Sequence, residues 1–187
     1  MLSGQRGMTL VELMVTISVL AILVALAAPS FREFRERQAL KGAVDNYVVA
    51  LAEAKQEAIK RDQWVRVDFH GMGSGVCLGA VLVDSEDASA ADGCDCSEST
   101  CEIARFPESE ADLKGVELDG AVDFAGDTGF VIDPKTGALA DIGDTGALLF
   151  KTPKGYALRL TVNAMARPSL CVPASADRKL PGVVVCE

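Results

Sequence analysis

Hydrophobic positions divide this chain into stretches of different period. A short polar leader, residues 1–7, carries one charge, Arg6. Residues 8–28 are almost all Leu, Val, Ile, Ala or Met, and a single carboxylate, Glu12, interrupts them. About 20 such residues cross the hydrocarbon core of a bilayer, so the run predicts a membrane-spanning helix. Pro29 ends the run, but helical spacing continues through Phe31, Phe34, Leu40, Val44, Val48, Leu51, Ala54, Ala58 and Ile59. Glu53, Glu57, Lys60 and Arg61 occupy other faces. One long helix is therefore predicted from about Thr9 to Arg61, bent where Pro29 removes a backbone donor. Its first half is expected to face lipid or sister helices, and its second half to pack on the rest of the chain.

From Trp64 the pattern changes to short β segments separated by turns. Candidate strands cover 64–69, 76–83, 101–106, 116–118, 122–124, 130–132, 138–140, 147–151, 156–162 and 183–185. Asp133-Pro134-Lys135-Thr136-Gly137 reads as a hairpin turn, in which Pro sets φ and Gly supplies a positive one. Gly126-Asp127-Thr128-Gly129 recurs as Gly143-Asp144-Thr145-Gly146, two equivalent turns that each open a strand. Short strands after one long helix imply an α+β domain with antiparallel sheets. The expected organisation is a leader over 1–7, a transmembrane helix over 8–28, an amphipathic continuation over 29–62 and a β-rich head over 63–187.

Charge and cysteines sharpen the picture of the head. From Gln63 onward there are 10 basic and 20 acidic residues, with 10 acidic residues against Arg105 alone between Asp84 and Asp112. From Lys151 the sign reverses, through Lys151, Lys154, Arg159, Arg167, Arg178 and Lys179. Such a domain repels polyanions over most of its surface and leaves one locally basic region. All six cysteines (Cys77, Cys94, Cys96, Cys101, Cys171, Cys186) follow the membrane segment. If that part faces an oxidising compartment, disulfides are their default. Cys171 and Cys186 are expected to pair, stapling the last strand to the domain. The other four allow several pairings; Cys77–Cys94 with Cys96–Cys101 is favoured, and Cys94–Cys96 is the most strained. A zinc site is disfavoured because C-x-C followed by four residues does not fit the usual ligand spacing.

Gly7-Met8-Thr9-Leu10-Val11-Glu12 resembles the processing site of type IV prepilins. The resemblance implies that a prepilin peptidase cuts between Gly7 and Met8 and methylates the new amino terminus, making Glu12 the fifth residue of the mature chain. It implies a type IV pilin-like fold, a long N-terminal helix packed on an antiparallel β-sheet domain, and Pro29 lies where the family commonly carries one. It also places the leader in the cytoplasm. Lys/Arg counting does not orient the span, because Arg32, Arg35 and Arg37 are interleaved with Glu33 and Glu36. Two other readings compete. A secretory signal peptide cut after Ala25-Leu26-Ala27 would have a shorter apolar region without a carboxylate. A plain anchor would leave the cost of Glu12 unanswered.

The stretch Ala50-Leu51-Ala52-Glu53-Ala54-Lys55-Gln56-Glu57-Ala58-Ile59-Lys60-Arg61 is similar to the helix end of the FimU, FimT and GspH group of minor pilins and pseudopilins. Cys77-Leu78-Gly79, then Cys94-Asp95-Cys96 and Cys101, and Arg167-Pro168-Ser169-Leu170-Cys171 resemble FimU-type minor pilins in particular. The implied role is pilus assembly and tip structure, with other minor pilins, the major pilin and prepilin peptidase as partners. The implied location is the inner membrane with a periplasmic head, then the extracellular pilus. A DNA-uptake role, as in FimT, is an alternative that would use a Gly-Arg-x-Arg loop; Ala166-Arg167-Pro168-Ser169 keeps one Arg, so Arg167 is at most a weak, salt-sensitive DNA contact and nucleic acid is not the expected partner. A type II secretion pseudopilin is a further alternative.

Catalytic chemistry finds little support in the residues. His70 is the only histidine and lies beside a glycine-rich turn, where an exposed imidazole is the ordinary expectation. Gly71-Met72-Gly73-Ser74-Gly75 lacks the Lys-Ser/Thr ending of a phosphate loop, and no calcium loop surrounds Asp127 or Asp144. No cofactor, metal or enzymatic activity is expected. The site that remains is one of assembly: Gly7 and Met8 for processing, Glu12 paired with the new amino group, and the small polar residues Thr9, Thr16 and Ser18 bonding to carbonyls or neighbouring helices.

Overall fold

The computed structural model describes residues 9–98, 101–122 and 124–186, with the side chain of Pro29 set aside. Helix α1 runs over Leu10–Arg61 and continues unbroken through Pro29. By contacts the chain divides into Met1–Glu36 and Arg37–Glu187.

In the second unit the helix presents a buried stripe: Leu40, Ala43, Val44, Tyr47, Ala50, Leu51, Ala54 and Ala58. These recur three or four apart, so they share one face. Phe31, Phe34 and Ile59, which the same spacing had included, are exposed. Small alanines on the stripe let the backbone come close to the sheets, while Tyr47 supplies bulk. Its ring meets Phe106 edge-on at 4.8 Å and stacks on Phe150 at 4.9 Å. Its hydroxyl donates to the Val76 carbonyl, so the buried phenol is satisfied.

Two four-stranded antiparallel sheets complete the unit. The first contains β1 (Trp64–Met72), β2 (Gly75–Val83), β3 (Ala104–Phe106) and β5 (Gly129–Ile132), in the order β3-β2-β1-β5. The second contains β4 (Glu117–Leu118), β6 (Gly146–Lys151), β7 (Ala157–Val162) and β8 (Pro168–Cys171), in the order β4-β6-β7-β8. Phe106 and Phe150 lie in different sheets, so Tyr47 touches both. The α+β, antiparallel expectation is met.

The 133–137 hairpin turn forms. Asp133 and Ala138 are hydrogen-bonded, the Asp133 carboxylate accepts from the Lys135 amide and the Thr136 hydroxyl, and Gly137 has φ +64°. Other expectations are corrected. Phe124, Leu139 and Val185 make isolated bridges rather than strands. Strand β3 begins at Ala104, three residues after Cys101, which is tied into a disulfide. Strand β8 was not anticipated, because Pro168-Ser169-Leu170-Cys171 shows no clear alternation and opens on Pro.

Alternation along β1 and β2 places Val65, Val67, Phe69, Val76, Leu78 and Ala80 in the main core. The opposite face carries Arg66, Asp68, His70, Met72, Cys77 and Gly79. A half-solvated sheet would expose these residues, yet Arg66 and Asp68 are 2% and 0% exposed. The cysteine-bearing segment after β2 covers them.

Candidate assembly site

The Gly7–Met8 junction lies outside the described residues; the first turn of the helix does not. Thr9 precedes it as an N-cap, with the Glu12 backbone N–H donating to Thr9 Oγ1 at 3.2 Å and the Leu13 N–H to the Thr9 carbonyl at 3.1 Å. Thr9-Leu10-Val11-Glu12 has the spacing of a capping box. The carboxylate of Glu12 stands in the first turn, where the helix dipole favours negative charge. The Thr9 hydroxyl thus accepts from a backbone amide of its own helix. Among the described residues Glu12 has no ion partner.

Further along, Thr16 Oγ1 donates to the Leu13 carbonyl at 2.8 Å and Ser18 Oγ to the Met14 carbonyl at 2.7 Å. Both hydroxyls are satisfied within the helix, as a lipid environment requires. Around them Leu10, Val11, Leu13, Val15, Leu20 and Ile22 are each more than half exposed. The most apolar window of α1 has a mean hydropathy of 2.6 and no buried residue. By length and composition it can cross a bilayer. A helix apolar all round needs lipid or other helices as its surroundings.

The head is fastened by three disulfides: Cys77–Cys96, Cys94–Cys101 and Cys171–Cys186. The favoured pairing of Cys77 with Cys94 and Cys96 with Cys101 is therefore corrected. The reason lies on the outer face of β2, where Cys77 and Gly79 are neighbours. Cys96 is buried against Met72 and Cys77. The Cys94–Cys101 bridge lies over Gly79, where an added Cβ would sit 2.6 Å from Cys101 Sγ, 2.6 Å from the Cys94 carbonyl oxygen and 3.2 Å from Cys96 Cβ. The missing side chain at position 79 makes room for the second bridge.

Beside the disulfides lies a buried ionic cluster. Arg66 Nε donates to both oxygens of Asp68 at 2.9 and 3.0 Å, and Nη2 contacts Asp68 at 2.8 Å and Asp127 at 2.9 Å. Nη1 donates to the Ala88 carbonyl at 2.7 Å, which ties the covering segment to the sheet. An added Cβ on either Gly93 or Gly129 would collide with the Asp68 carboxylate. Burial raises the pKa of Asp68 despite its bonds to Arg66. For Asp127 burial acts upward, but Arg66 and the Thr128 amide hold the pKa below the ordinary carboxylate value. Burial also opposes the charge on Arg66, and the two carboxylates more than offset it, leaving its pKa raised. The repeated Gly-Asp-Thr-Gly turns are thus not equivalent. Asp127 pairs with Arg66, whereas the pKa of Asp144 is raised by burial and by the charges of Asp141 and Asp127.

One further expectation changes, that for His70. His70 lies in β1 opposite Cys77 rather than in an exposed loop. Its Nδ1 is 3.9 Å from Asp95, and its Nε2 is buried without a hydrogen-bond partner. Arg167 is exposed in the β7–β8 loop, its backbone N–H held by Asn163 Oδ1 at 3.0 Å. Lys55 donates to Met165 in the same loop, and its pKa is lowered by burial and then by the charge of Arg167. Lys151 is already bonded to Asp119 at 2.8 Å. Among the described residues no group of His, Cys, Asp and Glu is arranged to hold a metal.

A long helix, with an amphipathic part seated on antiparallel sheets and an apolar part left uncovered, is a pilin-like α+β architecture. Residues 2–28 match the family model for the prokaryotic N-terminal methylation motif, which contains Gly7, Met8 and Glu12. The chain is thus type IV pilin- or pseudopilin-like, and its motif implies processing by prepilin peptidase. No curated protein and no solved structure matches it.

Proposed function

We propose that this chain is a minor pilin of the FimU type, stored in the inner membrane by residues 8–28 and released into the pilus after cleavage between Gly7 and Met8. The observation that carries this reading is the methylation motif over residues 2–28, which leads into an apolar helix with no cover of its own. Leaving lipid for a helical bundle, Glu12 must find a positive partner, because an unpaired buried charge costs several kcal/mol. The N-methylated amine of Met8, its own or a neighbour's, is that partner. Apolar packing then holds the bundle, while the ion pair sets the axial register. The disulfide-fastened head joins sister minor pilins to the major-pilin fibre.

The test is co-purification and crosslinking of the membrane-embedded chain with sister pilins. Glu12→Ala is expected to lose incorporation, and Glu12→Asp to keep part of it, being shorter but still charged. Normal incorporation of Glu12→Ala contradicts the proposed register. Crosslinks to secretion pseudopilins in place of pilins would move the chain to the pseudopilin branch.

A further inference from the structure

The first sheet has an edge at β3, which bonds β2 on one side and, among the described residues, no strand on the other. Beside that edge runs a surface groove whose opposite wall is α1. Asn46, Val49, Ala50 and Glu53 line it from the helix, and residues 103–106 and Glu108 from the strand side. Val49 is 63% exposed there, an aliphatic side chain left open beside the buried stripe of the helix. Partly buried Phe106 continues the apolar surface across the groove.

The groove is also charged in one sense. Glu53 and Glu108 face it from opposite walls, both are exposed, and neither has an ion-pair partner among the described residues. Other carboxylates nearby are engaged: Glu57 and Glu102 with Arg61, and Asp112 with Ser109. The one cation among the described lining residues, Arg105, donates from Nε to the Cys96 carbonyl at 2.9 Å and pairs with neither glutamate.

We propose that this groove docks an extended, basic segment of a partner protein as an added strand on β3. An unpaired strand edge offers backbone donors and acceptors to an incoming strand. In an extended segment alternate side chains point the same way, so lysines or arginines on one side meet Glu53 and Glu108 while the backbone follows β3. Aliphatic residues then rest on Val49 and Phe106. The complementary charges favour encounter and register, and the backbone bonds supply sequence-tolerant affinity. A helix offers the strand edge no free backbone groups, and an acidic segment is repelled. This interaction is separate from the helix-driven assembly proposed above, and it is tested without it.

The test uses the intact chain in non-ionic detergent micelles and a fluorescein-labelled peptide of alternating Val and Lys, read by fluorescence anisotropy at low salt. Saturable binding is expected. Glu53→Gln combined with Glu108→Gln should raise Kd about tenfold, while Glu86→Gln combined with Asp87→Asn, on a different loop, should leave it within about twofold. A peptide N-methylated at alternate backbone amides should lose binding, because it cannot extend the sheet. The proposal is overturned if binding does not saturate, if the Glu53/Glu108 variant binds like the parent, if the control variant loses as much, or if the N-methylated peptide binds equally well.

Discussion

The two halves of α1 are built from similar residue types and do opposite things with them. Over residues 10–34 the large apolar side chains are exposed all round, and polar groups such as Thr16 and Ser18 turn inward to their own carbonyls. Over 40–58 Leu40, Ala43, Val44, Tyr47, Ala50, Leu51, Ala54 and Ala58 form one stripe buried in the same chain's core, while Val49 stands outside it, exposed. One half thus carries its own solvent, whereas the other requires lipid or other helices. Both the amount of hydrophobicity and its angular distribution separate them: a span apolar all round against one stripe set between charged residues.

The largest expected effect lies in the self-covered half. Tyr47→Ala removes a fully buried ring that touches both sheets and a hydroxyl bonded to Val76, and should destabilise the head by about 3–5 kcal/mol. Trp64, the only tryptophan, reports unfolding of the head by fluorescence in denaturant. Leu20→Ala, in the other half, should shift that transition by less than about 0.5 kcal/mol. Equal losses for the two would erase the distinction.

A smaller effect is expected on the covered outer face of the first sheet. Gly79→Val places a side chain where the Cys94–Cys101 bridge lies, and should cost about 1–3 kcal/mol. Thiol labelling of the folded variant should find Cys94 and Cys101 reactive and Cys171 and Cys186 still bonded. A variant with all its cysteines oxidised and parental stability would contradict this account of the loop.

The smallest effect is one of pH. The depressed pKa of Asp127 stabilises the folded head above the ordinary carboxylate value of about 3.9, and that contribution fades as pH falls through the lower folded value. The raised pKa of Asp68 has the opposite sign: its folded form favours the proton, so its penalty develops as pH rises. The stability gap between the parent and Asp127→Asn should therefore be widest near neutral pH and close in acid. A gap that stays constant with pH would remove Asp127 from the linkage.

Much of this architecture was legible in the sequence, because periodicity reports directly on burial. The long helix, the β1–β2 pair and the 133–137 turn each carry a local signal in spacing or in Pro and Gly chemistry. What was illegible depends on contacts distant in sequence. Trp64-Val65-Arg66-Val67-Asp68 reads as a strand with one wet face, and only the segment anchored by Cys96 makes that face dry. The choice of Cys96 as partner for Cys77 depends on Gly79 holding space for the other bridge. His70 was misread for the same reason, since its neighbour in sequence is a turn but its neighbour in space is the covering loop. At the helix start, Thr9 and Glu12 show the spacing of a cap, a signal that the sequence carries in Thr9-Leu10-Val11-Glu12.

The central claim is that the uncovered half of α1 is retained in the mature protein, with Glu12 near its amino terminus. Mass spectrometry of the amino-terminal peptide, from chain purified from membranes with its native peptidase present, tests this most directly. The account predicts a chain that begins at N-methylated Met8. A chain that begins at Ala28 would mean the apolar helix is discarded as a secretory signal, and would contradict it.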